Sequence, residues 1–287
     1  MNNILVAPAI MTGLGVLFSV ILAVAYRLLR VEEDPRVEET ETLLPGSNCG
    51  ACGEPGCHAF AEKLVQGSLK PSQCTVATSE TIDAVAELLD VDPGAQERRI
   101  ARLRCAGGKA QAYQIAEYLG FENCRAAAVV SGGGKGCAWG CLGLGDCRVA
   151  CDFHAIEMNS NGLPAVSPER CTACGDCVEA CPRNLFQLVP VSQRLFVQCS
   201  TPLRSDAALA LCRVACDACG RCASDAAPGL IRMVENLPLI DYSAGGPARP
   251  DATYRCPTGA IQWLEGAQFN DPVGPNKQHQ SHYAHSH

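Results

Sequence analysis

The stretch "CTACGDCVEACP" (171–182) places Cys171, Cys174, Cys177 and Cys181 at gaps of two, two and three residues, and a proline follows the last cysteine. This spacing is typical of two-cluster bacterial ferredoxins. Three close thiolates hold one four-iron cluster, and the fourth cysteine ligates the neighbouring cluster. Glycine and other small residues let backbone N–H groups approach the sulfides. The stretch therefore predicts a ferredoxin-like module with two clusters.

A second cysteine loop, "CAWGCLGLGDCRVAC" (137–151), precedes the first and has wider gaps of three, five and three residues. Asp152 stands where a proline usually follows, and the glycines of the loop allow the looser turn. In two-cluster ferredoxins the fourth cysteine of each loop ligates the cluster of the other loop. This rule predicts one cluster on Cys137, Cys141, Cys147 and Cys181, and another on Cys171, Cys174, Cys177 and Cys151.

The stretch "CDACGRCASDAAPGLI" (216–231) begins as a third loop, but Ala226 occupies the fourth cysteine position. An internal repeat runs through "CDFHAIEM" (151), "CPRNLFQL" (181), "AAPGLIRM" (226) and "CPTGAIQW" (256), each expected to end in a short strand. The last repeat has no three-cysteine loop before it. Cys216, Cys219, Cys222 and Cys256 are therefore expected to hold one cluster, and the second cluster of this module is absent.

A fourth group lies in "CGACGEPGCHAFAEKLVQGSLKPSQC" (49–74), which contains Cys49, Cys52, Cys57 and Cys74. A short helix ending at Gly67 returns the chain so that Cys74 closes the site. Four thiolates would also suit zinc, but a site beside three expected clusters favours a fourth cluster.

The amino-acid composition limits the classes of function that the chain can have. Twenty cysteines in 287 residues indicate metal–sulfur sites in a reducing compartment rather than a disulfide scaffold, because the cysteines come in tight groups. A formal net charge of −7 argues against nucleic-acid binding. No nucleophile–base motif is present, so no catalytic residue is expected. Cys105, Cys124, Cys199 and Cys212 stay unassigned, as buried inert cysteines or, for Cys212, as a competing ligand.

Residues 1–26 carry no charged side chain, and the apolar run from Ile4 to Tyr26 is long enough to cross a bilayer. Arg27 and Arg30 follow at once and predict that the rest of the chain lies on the cytoplasmic side. A signal peptide lacks support because no basic residue precedes the run, and a buried soluble helix is the remaining alternative. We expect a single-pass anchor in the bacterial cytoplasmic (inner) membrane.

The fold class expected is α+β, with a transmembrane helix, a small helical iron–sulfur domain and ferredoxin-like modules. The expected division is an anchor (1–30), an acidic linker (31–46), an N-terminal four-iron domain (47–92), a helical connector (93–135) with a helix over 109–119, a two-cluster module (136–190), a degenerate module (191–265) and a disordered tail (266–287).

Three features in this order, the anchor, "CGACGEPGCHAFAEKL" and "GCAWGCLGLGDC" with "CTACGDCVEACP", resemble the B subunit of the Rnf complex. The connecting segment with Cys105 and Cys124 is also similar. The resemblance implies an electron-transfer subunit, with about four four-iron clusters, of an ion-translocating ferredoxin:NAD⁺ oxidoreductase. Its implied partners are reduced ferredoxin, the membrane and the A, C, D, E and G subunits of the complex. Alternatives are a ferredoxin-like subunit of another respiratory or hydrogenase complex, and a zinc-stabilised scaffold.

Overall fold

A computed structural model describes residues 3–29, 34–95, 97–243 and 246–269. The α-helices in this part are α1 Asn3–Leu29, α2 Pro35–Leu43, α3 Cys57–Val65, α4 Ser79–Leu89, α5 Cys124–Val129, α6 Asp146–Val149, α7 Asp176–Ala180, α8 Ser205–Leu209, α9 Arg221–Asp225 and α10 Asp251–Tyr254. The strands are β1 Arg99–Leu103, β2 Ile156–Met158, β3 Pro164–Val166, β4 Phe186–Pro190, β5 Leu195–Val197, β6 Ile231–Val234, β7 Leu237–Ile240 and β8 Ile261–Trp263. The mixture of helix and strand agrees with the expected fold class.

The strands form four antiparallel pairs, β1 with β4, β2 with β3, β5 with β8 and β6 with β7. Strands β2, β4, β6 and β8 end the four sequence repeats, which confirms the expected strand in each. His154, Asn184, Gly229 and Gly259 hold the same repeat position and all have positive φ, at 49°, 50°, 82° and 69°. Each repeat therefore turns from its cysteine loop into its strand through one left-handed residue.

Glycines also set the shape of the three cysteine loops. Gly145, Gly175 and Gly220 have φ of 83°, 103° and 71°, and each directly precedes a short helix, α6, α7 or α9. The third cysteine of each loop is the second residue of that helix and is buried. The left-handed turn thus directs that thiol into the core.

The connector differs from its prediction. Residues 109–119 form turns and isolated bridges rather than a helix, with Ala112 paired to Cys212 and Gln114 to Lys135. Backbone groups of this segment bond to distant parts of the chain, since the N–H of Tyr113 donates to the carbonyl of Leu211 (2.9 Å). Tertiary hydrogen bonds therefore replace the helical ones that the apolar spacing suggested.

Strand β1 is a second departure from a helical connector. Ile100 and Leu103 are 1% exposed and pack in one core with Leu185 and Phe186 of the two-cluster module. The connector thus contributes a strand to the core that surrounds the predicted cluster loops.

The acidic stretch 31–46 was expected to be a solvated linker, and the described part of it is largely a helix. In α2, Asp34 caps the first turn by accepting from the N–H of Arg36 (3.0 Å). Val37, Thr40 and Leu44 lie on one face and are buried, and α2 contacts α3 and α4. Three apolar or buried residues at helical spacing are therefore enough to pack this segment against α3 and α4. Residues 31–33 lie outside the described residues.

The N-terminal segment forms the 27-residue helix α1, as the apolar run predicts. Within the described residues, none of the helices combines the length and the hydrophobicity that crossing a membrane requires. The helix of this prediction is therefore found, and its crossing of a membrane is not shown.

The beginning of the predicted disordered tail is ordered. Gln268 is 3% exposed, accepts from the N–H of Leu103 (2.8 Å) and donates to its carbonyl (2.6 Å). Phe269 packs against the same core. The rest of the predicted tail, 270–287, lies outside the described residues.

Candidate iron–sulfur sites

All twenty cysteines are free thiols. Among the described residues, no group of three or more histidines, cysteines and acids is arranged around a single metal ion. A four-iron cluster separates its thiolates more widely than one ion does, because the cluster occupies the space between them. The cavities and the electrostatic neighbours of each thiol therefore define the candidate sets.

The first set surrounds a cavity of about 320 Å³, part of it open to solvent. Its four thiols, which we call the Cys171 site, are Cys151, Cys171, Cys174 and Cys177. They coincide with the second set predicted from the exchanged fourth cysteines. The N–H of Ala155 donates to Sγ of Cys151 (3.4 Å), so a backbone amide already points at one sulfur.

A buried arginine accompanies the Cys171 site. Arg102 is 4% exposed, and its Nε and Nη1 have no hydrogen-bond partner. Burial lowers the pKa of Arg102, and the neighbouring Cys171 thiolate opposes that effect. The side chain of Thr172, which lines the cavity, hydrogen-bonds to the thiol of Cys174. A buried guanidinium with unpaired nitrogens near Cys171 fits an anionic group at this site.

The second set surrounds a cavity of about 350 Å³ and differs from its prediction in one member. Its four thiols, the Cys141 site, are Cys124, Cys141, Cys147 and Cys181. Cys124 takes the place that the spacing assigned to Cys137, which does not line this cavity. The N–H of Leu185 donates to Sγ of Cys181 (3.5 Å).

Asp146 holds Cys124 in this position. Its Oδ1 accepts from the N–H of Cys124 (2.7 Å) and its Oδ2 from the N–H of Arg125 (3.1 Å). Asp146 directly precedes Cys147, so the start of α5 is tied to the loop that carries another thiol of the same site. Arg183 lines the cavity as well, and its buried Nε lacks a partner.

The third set, the C-terminal site, consists of Cys216, Cys219, Cys222 and Cys256. Cys216 and Cys222 are buried, whereas Cys219 is exposed. Cys256 is an electrostatic neighbour of the other three. Ala226 packs in a core that contains Cys222 and, at its edge, Cys256.

The fourth set, the N-terminal site, consists of Cys49, Cys52, Cys57 and Cys74. All four are partly buried. Asn48 Oδ1 accepts from the N–H of Cys57 (2.7 Å) and fixes the start of α3. The charges of Cys52 and Cys49 act on Cys74, which places the three thiols near one another.

Burial has the largest effect on the pKa of Cys141, Cys174 and Cys177. It raises the pKa of Cys177 and Cys141 to about 12 and that of Cys174 to about 11, with nearby thiols adding to the effect at Cys177 and Cys141. At neutral pH such thiols are protonated unless a metal displaces the proton. Together with the unpaired arginine nitrogens, this donor set fits iron–sulfur clusters.

Spacing could not place Cys124 at this cavity, because Cys124 lies thirteen positions before the loop that begins at Cys137. The sequence did contain one signal. The cysteines left outside the motifs number four, as many as one cluster needs, and they are Cys105, Cys124, Cys199 and Cys212.

Two family models match the chain. The one described as "Putative Fe-S cluster" matches residues 44–76, and the one described as "4Fe-4S dicluster domain" matches residues 137–186. They cover the N-terminal site and most of the two-cluster module.

Curated proteins match over most of the chain. The B subunit of the Na(+)-translocating ferredoxin:NAD(+) oxidoreductase complex of Acetobacterium woodii is 42% identical over 84% of this chain and 73% of that protein. The B subunit of the proton-translocating ferredoxin:NAD(+) oxidoreductase complex of Clostridium ljungdahlii is 36% identical over 91% of this chain and 93% of that protein. The B subunit of the ion-translocating oxidoreductase complex of Methanosarcina acetivorans is 34% identical, over 84% and 92%. With cysteine sets that fit iron–sulfur clusters, this similarity shows that the chain belongs to the family of B subunits of the ion-translocating, or Rnf, oxidoreductase complexes.

Proposed function

We propose that this chain accepts electrons from reduced ferredoxin and delivers them within an ion-translocating ferredoxin:NAD⁺ oxidoreductase complex. The observation that carries the proposal is the grouping of thiols into sets of four, two of which surround cavities. Arg183, whose Nε has no partner, lines one cavity, and the buried Arg102 lies near Cys171 of the other. A four-iron cluster, when bound, supplies one-electron transfer without a substrate pocket. The partners would be reduced ferredoxin and the A, C, D, E and G subunits of the complex, and flavin and NADH chemistry would lie on those subunits.

The residues proposed to hold the clusters are the four sets above. They are Cys49, Cys52, Cys57 and Cys74; Cys124, Cys141, Cys147 and Cys181; Cys151, Cys171, Cys174 and Cys177; and Cys216, Cys219, Cys222 and Cys256. Phe153, Ile156 and Leu188 line the Cys171 site with apolar side chains. Backbone amides and Arg102 stabilise negative charge there, which tunes the affinity of the site for an electron.

Two of these sites adjoin each other through the chain's own ligands. Cys177 of the Cys171 site is an electrostatic neighbour of Cys147 of the Cys141 site. The loop that holds each site also supplies the fourth cysteine of the other, since Cys151 follows Cys147 and Cys181 follows Cys177. The two sites are therefore neighbours, as electron transfer between them requires.

Analysis of the anaerobically purified full chain tests this function. We expect several four-iron clusters per chain, with equivalent acid-labile sulfide and a broad visible absorption that dithionite bleaches. The reduced protein should be reoxidised by purified partner subunits. A chain with zinc in place of iron, or with no absorption to bleach, would instead be the zinc-stabilised scaffold and would refute the proposal.

We further propose that α1 attaches the chain to the cytoplasmic membrane. Met11, Phe18 and Leu22 are 73%, 60% and 67% exposed, and the other large apolar residues over 14–26 are exposed too. An apolar surface of this extent is typical of a membrane or protein contact. Arg27 and Arg30 still predict that the cysteine-rich part lies on the cytoplasmic side.

Removing residues 1–30 should therefore release the chain into the soluble fraction with its iron content unchanged, because no cysteine precedes Cys49. Cell fractionation with iron analysis measures both effects. Removing 270–287 serves as the control and should leave the membrane association intact. Iron loss after removal of 1–30 would mean that the helix supports a cluster site.

A further inference from the structure

Four cysteines stand outside the sets described above: Cys105, Cys137, Cys199 and Cys212. All four are buried, at 7%, 8%, 7% and 7% exposure. Three of them were unassigned by spacing, and Cys137 does not line the cavity predicted for it. The structure brings these four together from four separate segments.

Backbone hydrogen bonds join those segments. The N–H of Ala106 donates to the carbonyl of Gln198 (3.0 Å), which places Cys105 beside Cys199. Ala112 forms a bridge with Cys212. The N–H of Gly136 donates to the carbonyl of Tyr113 (2.9 Å) and thus positions Cys137.

The thiols face a common space. A Cβ on Gly107 would lie 2.7 Å from Sγ of Cys212 and 3.8 Å from Sγ of Cys105, so only glycine leaves room for both sulfurs. Cys105 and Cys199 are electrostatic neighbours of Cys137, and Cys105 and Cys137 are neighbours of Cys212. Cys105 is likewise a neighbour of Cys199.

A buried cation lies against the same group. Lys135 is 8% exposed, and its Nζ donates to the carbonyls of Gly107 and Cys141. No carboxylate of the described residues forms an ion pair with it. Its charge acts on Cys137 and Cys212 and lowers the pKa of both thiols, against the larger raising effect of burial. Lys135 thus places a basic side chain and its hydrogen bonds beside the segments that carry these thiols.

We propose that Cys105, Cys137, Cys199 and Cys212 form a fifth four-iron site, the connecting site. This inference rests on the proposed function, because it assigns these thiols the same chemistry as the other sets.

The position of the connecting site gives it a role. The N–H of Cys141, in the Cys141 site, donates to Sγ of Cys105 (3.3 Å). The N–H of Cys216, in the C-terminal site, donates to Sγ of Cys199 (3.3 Å). The connecting site therefore lies between the two-cluster module and the C-terminal site and would complete the path for electrons between them.

The same arrangement explains two close pairs in the sequence. Cys137 lies four residues before Cys141, and Cys212 lies four before Cys216. In each pair one thiol belongs to the connecting site and the other to an adjoining site. Cys147 and Cys151 are divided between the Cys141 and Cys171 sites in the same way.

Iron and acid-labile sulfide per full-length chain test the proposal. Five sites predict about twenty irons in the unaltered protein, and four sites predict about sixteen. Cys212→Ala should lose about four irons and their share of the EPR signal of the reduced protein. The control Val214→Ala truncates an apolar side chain beside the same core and should keep all the iron.

About sixteen irons in the unaltered chain, or no iron loss in Cys212→Ala, would show that these cysteines are inert and would leave the proposed function standing. Should Cys212→Ala fail to fold, the iron count of the unaltered chain and Cys105→Ala decide instead. Zinc without iron would refute the proposed function together with this site.

Discussion

Replacing Cys124 and Cys141 together by alanine is expected to remove about four irons per chain, the same loss as either replacement alone. Both thiols line one cavity. A site that has lost one ligand has already lost its cluster, so removing the second ligand costs no further iron. An iron loss in the double variant that equals the loss in each single variant indicates that the two cysteines share one site.

The matched pair Cys137→Ala with Cys141→Ala should instead remove about eight irons. Cys137 has Cys105 and Cys199 as its neighbours, whereas Cys141 lies in the other cavity. Iron and sulfide analysis of the two double variants and their single parents makes the comparison. The assignment of Cys124 is wrong if Cys124→Ala alone keeps all the iron, or if the Cys137 pair loses only about four irons.

Replacing Arg102 by methionine should make the cluster of the Cys171 site harder to reduce, on the order of 60 mV more negative for a one-electron couple. The guanidinium is buried, it acts on Cys171, and two of its nitrogens have no partner in the protein. Removing a buried positive charge penalises the more negative, reduced form. An EPR-monitored redox titration measures the potential.

Two control variants separate charge from packing. Arg102→Lys keeps the charge and should stay near the original potential. Arg99→Met removes an equal charge from the same strand, but Arg99 is exposed and water screens it, so little change is expected. Equal shifts in Arg99→Met and Arg102→Met would contradict a specific role for Arg102.

The loops and their strands could be predicted from sequence because both depend on local chemistry. Gly175 and Asn184 adopt left-handed turns at little conformational cost, so the spacing around Cys171 and the repeat after Cys181 largely specify their own geometry. The pairing of Cys151 with the Cys171 loop followed from the same local rule, and the structure places these thiols around one cavity.

Only the tertiary structure decided how distant segments join these loops. Cys124 reaches its cavity because Asp146 binds the start of α5, a contact across about twenty residues that no spacing encodes. The acidic stretch before Cys49 became helix α2 because its few apolar side chains found a partner in α3 and α4. Cys105 and Cys199 meet through the backbone bond of Ala106 to Gln198, more than ninety positions apart. The sequence thus determined which residues could bind iron, and packing between segments decided which of them share a site, because long-range contacts depend on the whole folded chain.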